Sequence, residues 1–86
     1  MTDVLTRFAE ILRSEARIAD ELAATATYEG AEEKAARNTG AAKRLREIAD
    51  NPTATMTEKE ISELAAAGES GMQTVAKTMR MLYGRT

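Results

Sequence analysis

Apolar residues recur at helical spacing along most of the chain. Val4, Leu5, Phe8, Ile11, Leu12, Ala16, Ala19, Leu22, Ala23 and Ala26 fall on one face of a helix over 3–27. Arg7, Glu10, Arg13, Arg17 and Glu21 lie opposite, so the segment is amphipathic. Two threonines, a tyrosine and then Gly30 weaken the pattern, which predicts a stop at Gly30. A second helix is predicted over 31–50. Its seam of Ala31, Ala35, Asn38, Ala42, Leu45 and Ala49 is narrow and mostly alanine. Such a seam admits a neighbouring helix closely but removes little apolar area from water.

Asn51-Pro52 ends that helix, because proline disfavours a helical residue before it. Thr57-x-x-Glu60 then has the form of a capping box, and Met56 and Ile61 hold the positions of a hydrophobic staple. The helix so started carries Ile61, Leu64, Ala65, Gly68, Met72, Val75, Ala76, Met79, Leu82 and Tyr83 on one face. The phase passes unchanged through Gly68-Glu69-Ser70-Gly71, which predicts one unbroken helix over 57–83 that tolerates both glycines at ~1 kcal/mol each. Gly84 is its expected stop.

These elements predict a single all-α domain over 1–86. It is a small three-helix bundle, or a helical hairpin plus a long C-terminal helix, with antiparallel packing. Charge sharpens the picture. Residues 1–33 carry −5, 34–46 carry +5, 47–69 carry −5 and 70–86 carry +3. Alternating blocks suit antiparallel helices that each face a neighbour of opposite sign. Of the 86 residues, 17 are Ala and only 13 are Leu, Ile, Val or Phe, so the core is thin. Chains of this size with thin cores are marginal alone, which predicts a homodimer.

The chain has no Cys and no His, which removes thiolate chemistry, the commonest general base and the commonest metal ligand. Glu29, Glu32 and Glu33 cluster, but two of them are adjacent in sequence and point to different faces. Gly40-Ala41-Ala42-Lys43 lacks the spacing and the following Ser or Thr of a phosphate loop. The expectation is a non-enzyme without cofactor or metal. Met1-Thr2-Asp3 opens no basic n-region, and no apolar run approaches the ~20 residues of a bilayer span. A cytoplasmic protein without membrane contact is expected.

Binding candidates remain. Arg37, Lys43 and Arg44 point away from the alanine seam and suit phosphate or an acidic protein patch. Lys77 and Arg80 extend this cationic set. Met81, opposite the apolar face, is an adaptable contact for a partner. Ala35, Asn38, Ala42, Ala65, Gly68, Met72, Val75 and Met79 are candidates for helix packing or for a dimer seam. Glu15 and Asn38 also fall on predicted seams, where they are expected to sit at the edge and reach water.

Thr57 to Leu64 and Gln73 to Arg80 together resemble the two helices of helix-turn-helix repressors over about 27 residues. The resemblance implies that Gln73, Thr74, Lys77 and Arg80 read DNA. It departs in spacing: Val75 follows Gly68 by one residue more than in the usual motif. Glu69 stands where a small apolar residue belongs, and the first helix is acidic. The expectation is therefore a helical protein that binds another protein as adaptor, assembly subunit or inhibitor. Its Ala/Glu/Arg texture is similar in style to phage and mobile-element products, so a block on a host nucleic-acid machine belongs to that expectation. A DNA-binding regulator using 57–83 is the alternative. A sharp bend at 68–71 with a cationic face turned outward after it would overturn the interaction-module reading and put that alternative in its place.

Overall fold

The structure, a computed structural model, describes residues 2–85. Three helices make the fold: α1 Thr2–Tyr28, α2 Glu32–Asp50 and α3 Glu58–Tyr83, with a 3₁₀ turn at Pro52–Ala54. The all-α bundle expected from periodicity is the fold found. Each boundary has a local cause. Gly30 takes φ +78°. The Ala31 N–H reaches the Ala26 carbonyl at 2.8 Å and the Gly30 N–H the Thr27 carbonyl at 3.1 Å, which is a Schellman close. Asn51, before Pro52, leaves the helical region at φ −148° and ψ 74°. The capping box forms in both directions. The Glu60 N–H donates to Thr57 Oγ1 at 3.2 Å and the Thr57 N–H to Glu60 Oε1 at 2.9 Å. Met56 and Ile61, the staple pair, are both buried.

Packing follows the charge blocks. Arg13 pairs with Asp50 at 3.1 Å, and Arg46 pairs with Asp20, so α1 and α2 run antiparallel. Arg7 meets Glu69 and Arg80 meets Glu15, each at 2.5 Å, so the second part of α3 runs parallel to α1. The topology is up-down-up. Phe8, Leu12, Leu45 and Ile48 are fully enclosed, and alanines fill most of the space between α1 and α2. The α1–α2 hairpin outreaches α3, whose end at Gly84 lies beside Asn38. The radius of gyration is 13.4 Å, with extents of 43 × 20 × 17 Å. A compact chain of this length would have ~12 Å, so the molecule is moderately elongated and not a rod.

The expected unbroken helix over 57–83 is corrected. Gly68 adopts φ 72° and ψ −162°, and α3 kinks there into limbs 58–67 and 69–83. The apolar phase survives because both limbs bury the same stripe, including Leu64 below the kink and Met72 and Ala76 above it. Phase continuity therefore does not report straightness. Gly68 is also no close-packing contact, since an added Cβ would meet nothing within 4 Å. Its role is conformational. Gly71 serves the same kink sterically: a Cβ there would lie 2.3 Å from the Ala67 Cβ.

Both seam polar residues are corrected as well. Asn38 is only 8% exposed, and its Nδ2 donates to the Lys34 carbonyl at 2.9 Å within its own helix. Glu15 does not reach freely into water. Its side chain is 16% exposed because Arg80 folds onto it.

Candidate binding surfaces

Two surfaces gather the polar and apolar groups that the core leaves over. The first is a cleft of about 640 Å³ between α1 and limb 69–83. The parallel run of these two helices, pinned by Arg7–Glu69 and Arg80–Glu15, sets its walls. Ile11 and Ser14 line it from α1, and Ser70, Gln73 and Thr74 from α3. Arg7, Arg17 and Lys77 supply positive charge, Glu10 and Glu15 negative. The two carboxylates are already used, Glu10 by Arg7 at 2.9 Å and Glu15 by Arg80. Arg7 is likewise spent: its hydrogen bonds to Glu69 first and Glu10 second hold its guanidinium above the ordinary pKa. Among the described residues, Arg17 and Lys77 carry no ion pair. They are the cleft's uncompensated charges. Two and three turns beyond Ile11 on the same flank of α1, Ile18 and Leu22 are exposed.

The second surface follows the other flank of α3. The kink folds limb 58–67 toward limb 69–83 and opens a channel of about 650 Å³ along Met56, Leu64, Ala67, Gly71, Val75 and Met79. Glu60 and Glu63 close one end. The Glu60 carboxyl is held below the usual glutamate range by the hydrogen bond from the Thr57 N–H and then by the Thr57 side chain. At the other end, one turn past Met79, a depression of about 430 Å³ is lined by Ala36, Arg37, Gly40, Arg44 and Tyr83. Arg44 lies over the Tyr83 ring at 5.9 Å from its centroid and pairs with Glu47 at 3.3 Å. Arg37 has no ion pair among the described residues. Leu82 stands 55% exposed on the same flank of α3.

The residues singled out from sequence thus divide between faces. Arg37, Lys43 and Arg44 stay together on α2, with Arg37 half-buried and the other two exposed. Lys77 lies in the cleft, which adjoins the channel through Ser70 and Thr74. Arg80 is corrected as a contact residue: its guanidinium Nε donates to Glu15 within the fold, and its side chain is only 17% exposed. Met81 is exposed. Ala35, Asn38, Ala42 and Met72 are buried inside one chain, while Ala65 is half-buried. Val75 and Met79 line the channel. Sequence periodicity places Arg17 merely on a polar face. Its pairing with Lys77 across one cleft depends on the parallel register of α1 and α3, which no local pattern reveals.

Among the described residues no group of three or more His, Cys, Asp or Glu is placed to hold a metal ion, and no helix is long and apolar enough to cross a membrane. No family model, curated protein or solved structure matches the chain.

Proposed function

We propose that this protein is a non-catalytic binding module that docks, through the α1–α3 cleft, on an acidic segment of another protein. It acts by occupying that surface, as an adaptor, assembly subunit or inhibitor, and makes or breaks no bond. One observation carries the reading: Arg17 and Lys77 stand uncompensated in the cleft, while nearly every other charge around it is paired within the fold. Ser14 and Gln73 line the same cleft and offer hydrogen-bonding groups, the Gln73 amide donating to Glu69 at 3.3 Å within the fold. Exposed Ile18 and Leu22 extend the site with an apolar end, so a segment with acidic and apolar residues fits best.

A second reading, a DNA-binding regulator, draws support from the kink at Gly68, which makes 69–83 a separate limb with Gln73, Thr74 and Lys77 exposed. Three features weigh against it. A helix-turn-helix turn takes ~3–4 residues, whereas only Gly68 leaves the helical region here. Arg80 is withdrawn to Glu15. Glu10 and Glu69 border the same face and would meet phosphates.

Affinity capture with the wild-type chain and with Arg17→Glu plus Lys77→Glu tests the proposal. Exposed charge pairs contribute ~0.2–1 kcal/mol each, so reversing both should weaken a specific partner about tenfold or more. A partner retained equally by the double variant would refute docking in the cleft. Tight binding of random duplex at ~50 mM salt, lost in the variant, would support the regulator instead.

A further inference from the structure

The channel side of α3 makes a different offer from the cleft. It is an apolar strip with charge of opposite sign at its two ends. The middle holds Gly71 and Val75. Glu63, held among the described residues only by an exposed contact with Lys59 at 4.0 Å, marks the acidic end and Arg37, beside Tyr83, the basic end. Gly71 and Val75 lie between these two ends along α3.

We infer that a second copy of this chain covers this face, across a two-fold axis near Gly71 and Val75. A two-fold axis through the midpoint of a dipolar strip lays the positive end of each copy on the negative end of the other. The strip is thus complementary to itself. A different protein would have to supply the reversed dipole at the same spacing, which a second copy already has. Arg37 then meets Glu63 of the partner copy twice over, once at each end. Covering Val75, Met79 and the exposed Leu82 adds apolar burial to a chain in which more than half of the buried hydrophobic residues are alanine. The channel shares Ser70 and Thr74 with the cleft but neither Arg17 nor Lys77, so variants at those two cations separate this inference from the docking reading.

Sedimentation equilibrium of the full chain tests it, with helicity checked by circular dichroism. At ~100 μM the wild-type chain is expected to be dimeric, as for any homodimer of micromolar affinity. Arg37→Glu alone and Glu63→Arg alone each set like charges opposite one another at both ends, and each should weaken the dimer about tenfold or more. Mixed one to one, the two variants should associate again as a heterodimer, because both end contacts become attractive. Arg17→Glu plus Lys77→Glu should leave the dimer intact. A monomeric wild-type chain at that concentration overturns the inference. So does a dimer indifferent to both single reversals, or a mixture that stays monomeric.

Discussion

Replacing either glycine of the α3 kink by alanine should destabilise the protein, although the same change inside a straight helix would stabilise it. In an ordinary helix interior each Gly→Ala gains ~1 kcal/mol from propensity. Gly68 sits at φ 72° and ψ −162°, a region open almost only to glycine. A side chain there costs on the order of 1–3 kcal/mol, although nothing within 4 Å would touch the added Cβ. Gly71 is in normal helical conformation, but its Cβ would fall 2.3 Å from that of Ala67, far inside contact distance. Ala67 is a short, rigid side chain and cannot swing away, so the limbs must open. Thermal unfolding of the single variants and of the double variant separates the two pictures. Each single change should lower Tm by ~4–8 °C per kcal/mol lost. The double change should cost less than the two together, since a helix straightened by the first alanine regains propensity from the second. A rise in Tm for Gly68→Ala would refute the kink and restore the straight helix.

Other changes probe the remaining elements. Leu45→Ala removes a fully buried side chain and should cost ~2–5 kcal/mol by urea titration, enough to unfold so thinly cored a chain substantially. Thr57→Ala deletes the N-cap acceptor and should cost ~1 kcal/mol in the same assay. Glu60 is depressed in the folded state, so its stabilisation is complete above the ordinary glutamate pKa of ~4.3 and fades as pH falls through its lower folded value. Glu60→Gln should flatten that part of the stability–pH curve, measured by urea midpoints between pH 2 and 6. Glu15→Ala strands Arg80 in a half-buried site and should cost ~1–2 kcal/mol, whereas Glu15→Leu plus Arg80→Met should be close to neutral in a double-mutant cycle.

The helix boundaries were legible because each rests on local chemistry: the left-handed Gly30, the proline after Asn51 and the reciprocal bonds of Thr57 and Glu60. Antiparallel pairing of α1 and α2 was legible from charge blocks, and Arg13–Asp50 and Arg46–Asp20 realise it. The kink was not, because hydrophobic phase records which side of a helix is buried and is blind to a bend that leaves the same stripe buried on both limbs. Two glycines three residues apart were its signal, one by backbone conformation and one by lack of room. The cleft was hidden for another reason. Arg17 and Lys77 stand 60 positions apart in sequence, and only the register set by Arg7–Glu69 and Arg80–Glu15 brings them to one groove. The same register hides Arg80, which looks free in a linear reading and is bound to Glu15 in the fold.

Docking through the cleft is tested most directly by site-specific photo-crosslinking in the source cell. A photoreactive residue is placed in turn at Ser14, at Gln73 and, as a control on the outer face of α2, at Thr39. The expected result is one discrete protein adduct from Ser14 and Gln73, abolished by Arg17→Glu plus Lys77→Glu, and none from Thr39. Adducts from Thr39 alone, or adducts from the cleft positions that survive the double reversal, would contradict it.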